Sequence, residues 1–226
     1  MQRLIAACLM LLAQSALAGM SLDKMILYLD DVPNARDDVV VSNPDREPLY
    51  LQTEIFRVDN PGQENERVVP ITDPKDYKLL VSPTRAIIPP GSQKRFRLMS
   101  VERDLAQEAV YRVTFKPVVG DITTKATGVK ILVAYQALIF VQPRDGAYQL
   151  ELAKEGEEWK LRNSGNINVE IRKLEFCRAE TRCESIPLSG RIYPGAYKTL
   201  KLPQGKGYLK LNAYDGKESS EERLPV

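Results

Sequence analysis

The stretch Val129–Val141, VKILVAYQALIFV, carries an apolar side chain at nearly every position and decides how the fold is interpreted. Side chains of an extended strand alternate between two faces, so Val129, Ile131, Val133 and Tyr135 share one face. The other face carries the remaining apolar side chains, those of Leu132, Ala134, Leu138 and Phe140. Because a half-exposed strand keeps only one face apolar, this stretch is predicted to be fully enclosed or to offer one face to a partner.

Upstream of this stretch, short β-like runs follow one another, and each ends at residues typical of turns. Leu49–Val58 alternates well and stops at Asp59-Asn60-Pro61-Gly62. The other runs are Met25–Leu29, Val39–Ser42, Lys78–Val81, Ala86–Ile88, Arg95–Met99 and Val110–Phe115. The polar segment Lys116–Gly128 is predicted to be an exposed loop that leads into the long strand. This spacing, without long amphipathic helices, predicts an immunoglobulin-like β-sandwich.

A second set of β-like runs begins after the turn residues Pro143-Arg144-Asp145-Gly146. Its members are Ala147–Leu152, Glu158–Arg162, Ile167–Cys177, Tyr197–Leu202 and Tyr208–Tyr214. The chain is therefore predicted to be all-β, with two immunoglobulin-like β-sandwich domains over residues 19–143 and 144–226. Because a strand leads almost directly into the second domain, we expect a fixed angle and a cleft between the two. The alternative is one large sandwich.

The first 18 residues have the pattern of a secretory signal peptide. Arg3 precedes an apolar run that ends in Ala16-Leu17-Ala18, and the run is too short to span a bilayer. Removing this leader leaves 208 of the 226 residues, with 31 basic against 30 acidic side chains once Arg3 is gone. This balance argues against a protein that binds nucleic acid through bulk positive charge.

The residue types also limit the chemistry that the chain can perform. There is no histidine, which removes the commonest general base and the commonest metal ligand together. We therefore predict a protein that is not an enzyme, with no catalytic residues, no metal and no cofactor. Cys177 and Cys183 lie across a short polar loop, and in an exported protein such a pair favours a disulfide. Zinc would need further ligands, and a redox-active pair normally has the spacing Cys-x-x-Cys.

Several motifs, taken in order, carry a resemblance to a known family. After the leader come LLVSPTRAIIPPG at 79–91, VYRVTF at 110–115 and ALIFVQP at 137–143, then LRNSGNINVEIRKLEFC at 161–177 with the second cysteine, and RIYPG at 191–195. This order resembles the periplasmic chaperones of chaperone–usher pili, and most of all the alternate group that serves class 5 (CFA/I-like, alpha-fimbrial) pili. The resemblance covers most of the chain after the leader.

The resemblance implies a periplasmic protein whose partners are pilin subunits, both major subunits and the tip adhesin, and an outer-membrane usher. Such chaperones lend a strand to incomplete pilin domains, which is a case of β-strand addition. The residues that match the family's donor positions are Val129, Ile131 and Val133, with Tyr135 next on the same face. The face from Leu132 onward would then pack in the chaperone's own core. Free members of the family cover the open edge by self-association.

The family also suggests an anchor for the pilin carboxylate. Better-known members use an arginine on the first strand and a lysine on the donor strand, but Ile26 and Leu138 stand at those positions here. The alternate group carries an arginine in the preceding strand, which matches Arg112, and Lys24 is a second candidate. An arginine between apolar neighbours is also typical of a structural ion pair, so that alternative stays open for Arg112.

Two other function classes are compatible with an exported β-sandwich protein. A pilin or adhesin subunit would lack its own final strand, whereas this chain supplies strands through both predicted domains. A carbohydrate-binding sandwich would have only Trp159 as an indole platform and would leave the stretch Val129–Val141 unexplained.

Overall fold

The computed structural model describes residues 19–119 and 131–226, and these fold almost entirely as β-strands. The strands of the first part are β1 Ser21–Leu22, β2 Ile26–Asp30, β3 Arg36–Ser42, β4 Leu49–Asp59, β5 Arg67–Pro70, β6 Leu79–Ser82, β7 Arg85–Ile88, β8 Gln93–Ser100, β9 Ala109–Val118 and β10 Tyr135–Gln142. Those of the second part are β11 Leu150–Glu155, β12 Glu158–Asn163, β13 Val169–Ala179, β14 Arg182–Ser185, β15 Gly190–Ile192, β16 Tyr197–Leu200, β17 Tyr208–Tyr214 and β18 Ser219–Pro225. A 3₁₀ turn, Pro74–Asp76, precedes β6.

The first ten strands form two sheets that pack face to face. One sheet has the order β1-β3-β8-β6, and the other has the order β2-β10-β9-β4-β5, with β7 also paired to β4. The N-terminal segment changes sheet between β1 and β2 at Asp23, whose carboxylate accepts a hydrogen bond from the Val40 amide at 2.8 Å. Between the sheets, Phe96 and Phe115 are fully buried and meet edge to face with ring centroids 5.3 Å apart.

The last eight strands form a second sandwich with its own core. A sheet of order β11-β12-β16 faces a sheet of order β14-β13-β17-β18, in which β15 also pairs with β13. Leu161, Phe176 and Leu211 are buried in its core, which shares no buried residue with the first core. The alternative of one large sandwich is therefore wrong.

The predicted disulfide is confirmed, because Cys177 and Cys183 are bonded to each other. They stand directly opposite each other on β13 and β14 and close the end of that pair of strands. Cys177 is fully buried in the second sandwich, so the bond joins the core to the exposed strand β14.

Two predictions from the sequence concern segments that lie wholly or mostly outside the described residues. The signal peptide Met1–Ala18 lies outside them, as do Val129 and most of the predicted loop. The loop was expected to begin at Lys116, but β9 continues to Val118 because it stays paired with β4 as far as Tyr50. Across the described residues, no helix is long and apolar enough to cross a membrane.

Candidate strand-binding site

Strand β10 has one side open near its beginning. On one side β9 pairs antiparallel with Tyr135–Val141, whereas β2 lies parallel along the other side only over Leu138–Gln142. The Leu138 amide donates to the Met25 carbonyl at 2.8 Å. Because backbone groups alternate along a strand, the amide and carbonyl of Gln136 point to the same edge, one step beyond the start of β2. Among the described residues, no strand lies beside that edge at residues 135–137.

The segment that leads into β10 exposes apolar side chains to solvent. Ile131 is 83% exposed and Val133 is 56% exposed, and both precede the first residue of the strand. Leu132 is also exposed. The prediction of a continuous strand from Val129 is wrong for residues 131–134, which have no ladder partner in the described chain. The apolar composition alone does not hold these residues in a sheet.

The two faces of this stretch are also not arranged as predicted. Leu132 was expected to face the protein's own core together with Leu138 and Phe140. This is wrong for Leu132, which is exposed, whereas Phe140 is buried in a separate cluster and not in the main core of the first sandwich. The core of the first sandwich instead receives the odd-numbered side chains of β10, namely Tyr135, Ala137, Ile139 and Val141. Ile131 and Val133 are in step with this face. If β10 were extended toward its N-terminus, Ile131 and Val133 would therefore lie on the face of the strand that packs into the core.

The even-numbered side chains of β10 lie on the outer face of the same sheet. There Leu138 stands directly opposite Ile26 of β2 on one side and Arg112 of β9 on the other. Phe56 of β4 continues the row beyond Arg112. Ile26 is 44% exposed, so this row combines a cation with accessible apolar surface. Leu138 is thus a direct neighbour of Arg112 in the sheet, and Ile26 lies one strand beyond it.

The two candidate anchors both hold carboxylates of the protein itself. Arg112 Nη2 lies 3.0 Å from Oε1 of Glu66, and about a third of each side chain is exposed. Lys24 Nζ lies 2.8 Å from both carboxylate oxygens of Asp37, a residue of the opposite sheet. Arg112 lies in the row beside the open strand, whereas the contact of Lys24 is directed toward β3.

An apolar cluster next to this row joins the two sandwiches. Phe140, Val58 and Val110 are buried together, and Tyr193 of the second sandwich packs against them. Tyr28 stacks on Phe140 with ring centroids 5.0 Å apart. Burial raises the pKa of Tyr28 to about 12, although the nearby guanidinium of the second sandwich lowers it in part. The cluster therefore holds the second sandwich alongside the row that contains Arg112.

A polar network crosses the same junction. The buried Glu108 accepts a hydrogen bond from Nδ2 of Asn168 at 2.7 Å, and its amide donates to the Asn166 carbonyl at 3.0 Å. Arg191 donates to the other side of the Asn168 amide at 2.7 Å and stacks over Phe140 with 4.9 Å to the ring centroid. Burial raises the pKa of Glu108 to about 7. Sequence reasoning identified neither Glu108 nor Glu66.

Other features of the described residues do not coincide with this site. No group of three histidine, cysteine, aspartate or glutamate side chains in residues 19–119 and 131–226 is arranged to hold a metal ion. A cavity of about 640 Å³ lies at the far side of the sheet, where β4 leaves a gap between β5 and β7. Ile55, Tyr77 and Leu80 are among its lining residues. It shares Phe56 with the row that contains Arg112, but none of the candidate residues lines it.

Comparisons with known proteins agree with the resemblance drawn from the motifs. No family model matches the chain. A CS1 fimbrial protein of Escherichia coli is 29% identical over 184 residues, which cover 76% of each chain. The crystal structure of the class 5 fimbriae chaperone CfaA superposes with a TM-score of 0.75 at 23% identity, covering 91% of this chain and 98% of that one.

A second solved structure, a chaperone–tip adhesin complex of CFA/I fimbriae biogenesis, has a TM-score of 0.69 at 23% identity. It covers 92% of this chain and all of the matched chain. The predicted fold of two immunoglobulin-like sandwiches is confirmed, and so is the predicted resemblance to class 5 chaperones.

Proposed function

We propose that this chain is a periplasmic pilus-assembly chaperone that binds pilin subunits by donor-strand complementation and delivers them to an outer-membrane usher. The observation that carries the proposal is the open edge of β10 at residues 135–137, which continues into the exposed apolar side chains of Ile131 and Val133. An open sheet edge accepts a further strand through backbone hydrogen bonds, and alternate side chains select that strand. Val129, Ile131, Val133 and Tyr135 would then fill the groove of an incomplete pilin domain.

The exposed apolar side chains that precede β10 provide the driving force for binding. Transfer of one such aliphatic side chain from water into an apolar groove stabilises a complex by roughly 1.5–3 kcal/mol. Ile131 and Val133 are in step with Ala137 and Ile139, which are fully buried. A straight extension of β10 would join the pilin core to the core of the first sandwich. The same exposed edge supports self-association of the free chaperone.

Arg112 is the proposed anchor for the carboxylate at the end of the pilin chain. It stands in the cross-strand row beside Leu138, the residue that directly follows the open part of β10. A guanidinium holds a carboxylate through paired hydrogen bonds, which would fix the position of the incoming strand along β10. This matters because a slip of one residue would turn the apolar side chains of the added strand away from the groove. Lys24 remains the second candidate.

The proposal also includes the division of the chain into two domains and its location in the periplasm. We assign residues 19–143 to an N-terminal domain that carries the donor strand and residues 144–226 to a C-terminal domain. The first core ends at Val141 and the second begins at Leu150, which supports this division. The leader sequence and the likeness to fimbrial chaperones support export to the periplasm. The chaperone fold supports a binding role and not catalysis, with pilin subunits, the tip adhesin and the usher as partners.

Co-expression with a pilin subunit of a class 5 (CFA/I-like) pilus tests the proposal. Native mass spectrometry of the periplasmic extract should show a complex of one chaperone and one pilin. Ile131→Asp should abolish it, because an unpaired charge would enter the pilin groove. Ile87→Asp is the matched control, since Ile87 is also exposed at 61% but lies on β7 at the far side of the sheet. The proposal fails if Ile131→Asp melts like the wild type and still yields the full amount of complex.

A further inference from the structure

The carboxylate of Glu66 is the group that holds Arg112 in this structure. Its Oε1 atom lies 3.0 Å from Nη2 of Arg112, and its Oε2 atom accepts a hydrogen bond from the Gly62 amide at 2.7 Å. Glu66 lies at the end of the hairpin that joins β4 to β5, immediately before Arg67. One oxygen therefore ties the side chain to its own hairpin, and the other is presented to the guanidinium.

The hairpin itself is held in place by the second sandwich. Gly62 has a φ of +72°, and a Cβ atom added there would lie 2.6 Å from the ring of Tyr193. Tyr193 in turn packs against the apolar cluster between the sandwiches. Contacts from both sandwiches thus set the position of the Glu66 carboxylate. It stands at the rim of the row formed by Arg112, Leu138 and Ile26.

We infer that Glu66 is a placeholder for the pilin carboxylate, an inference that rests on the proposed function of Arg112 as the anchor. In the free chaperone the carboxylate of Glu66 is paired with the guanidinium of Arg112. In the complex the terminal carboxylate of the pilin takes the place of Glu66. Oε2 of Glu66 keeps its bond to the hairpin amide, so the side chain has a position to which it withdraws. One carboxylate replaces another, and the number of charge-assisted hydrogen bonds at Arg112 stays nearly constant.

This exchange has a consequence for how pilin is bound and released. Because Glu66 must leave Arg112 before the pilin carboxylate binds, this displacement offsets part of the affinity that the anchor contributes. The anchor also fixes the register of the pilin strand, and the contacts at Ile131 and Val133 add further affinity. When the pilin leaves, Glu66 returns to Arg112, which avoids an unpaired guanidinium beside apolar surface. Glu66 is therefore a positioning residue for Arg112.

The alternative arrangement makes the opposite prediction. A guanidinium carries five donors in a planar fork, so Arg112 is able to hold two carboxylates on different edges. If Glu66 stayed in place during binding, it would orient Arg112 for the pilin, and its removal would weaken the complex. If Glu66 is a placeholder, its removal makes the guanidinium more available.

The full-length chain with Glu66→Gln separates these cases, since glutamine keeps the shape of the side chain and an oxygen for the Gly62 amide. Acetate serves as the probe, titrated against chloride at constant ionic strength, and the Nε resonance of Arg112 reports binding. We expect Glu66→Gln to reach half of the shift at about two- to fivefold less acetate than the wild type. Equal or weaker acetate binding by Glu66→Gln would overturn the inference.

Glu54→Gln is the matched control. Glu54 pairs at 3.0 Å with Lys116, which lies on the same face of β9 as Arg112 but four residues farther along the strand. Glu54→Gln should leave the acetate titration of Arg112 unchanged. If it increased the acetate affinity of Arg112 as much as Glu66→Gln does, the effect would be one of general charge, and this would contradict the inference.

Pilin binding provides the second arm of the experiment. With co-expressed pilin, Glu66→Gln should give at least as much complex as the wild type. If the wild type forms the complex and Glu66→Gln forms less, the placeholder role is wrong while the chaperone function stands. If no variant forms a complex, the proposed function is contradicted whatever the acetate titration shows.

Discussion

Replacing Glu108 by glutamine should stabilise the protein at neutral pH and have little effect in acid. Glu108 is only 6% exposed at the junction of the two sandwiches. One carboxylate oxygen accepts from Asn168 at 2.7 Å, and the other is buried without a hydrogen-bond partner among the described residues. Burial therefore disfavours the charged form and raises the pKa of Glu108 from 4.5 to about 7, although Asn168 and the more distant Arg191 lower it in part.

The sign and size of the effect follow from this shift. The folded-state pKa lies above the unfolded value, so the folded state binds more protons between pH 4.5 and about 7. Stability from this group is complete below pH 4.5 and is lost as the pH rises toward 7. A difference of 2.5 units between 7 and 4.5, at 1.36 kcal/mol per unit, corresponds to about 3 kcal/mol. Glu108→Gln removes the titration and should recover a large part of that amount at pH 8.

Urea unfolding of both proteins from pH 4 to pH 8 measures this effect. The stability difference between Glu108→Gln and the wild type should grow with pH and level off above pH 7. Glu170→Gln is the control for losing a carboxylate beside Arg191, since Glu170 lies 3.2 Å from that guanidinium but keeps about a third of its side chain exposed. Parallel curves for Glu108→Gln and the wild type over the whole range would show that burial does not disfavour the charged form of Glu108.

The remaining predictions concern the disulfide and the anchor. Joint replacement of Cys177 and Cys183 by alanine should lower the free energy of unfolding by about 2 kcal/mol, measured by urea unfolding, because the bond closes a short loop; an unchanged midpoint would contradict this. Arg112→Ala should melt near the wild type yet give little pilin complex, whereas Lys24→Ala should lose only a half-exposed ion pair, worth about 1 kcal/mol or less, and bind pilin normally. Co-purification with pilin measures complex formation by both variants. If Arg112→Ala binds pilin normally and Lys24→Ala does not, the anchor is Lys24 instead.

The central strands were predictable because their own side chains carry the pattern of burial. The run predicted at Tyr208–Tyr214 matches β17 at both ends, and the run at Leu49–Val58 matches β4 within one residue. The edge strands β5 and β18 were missed. Their sequences, RVVP and SSEERLP, are largely exposed and contain few alternating apolar residues, so a neighbouring strand places them in the sheet and their own composition does not.

The long apolar stretch shows what the pattern of side chains cannot decide. Both of its faces are apolar, so alternation does not say which face meets the core of the first sandwich. Phe140 is fully buried, as expected, but in the cluster between the sandwiches. The beginning of the strand at Tyr135 was also unpredictable, because it depends on where neighbouring strands supply backbone partners.

The candidate site was predictable only where a family motif contains the residue. Arg112 lies in such a motif, but the partners that define its surroundings come from distant parts of the chain. Glu66 is 46 residues from Arg112, and Asn168 is 60 residues from Glu108. Contacts over such distances depend on strand register and on how the two sandwiches meet, and neither leaves a local signal in the sequence.

Hydrogen–deuterium exchange of residues 131–137, measured in the free protein and in its purified complex with pilin, tests the proposed strand addition at β10 most directly. In the free protein the amide of Gln136 points to the open edge and should exchange rapidly, whereas that of Leu138 is bonded to Met25 and should be protected. If a pilin strand adds at this edge, Gln136 and the segment 131–134 should become strongly protected in the complex. An intact complex in which these amides exchange as fast as in the free protein would show that no strand adds there.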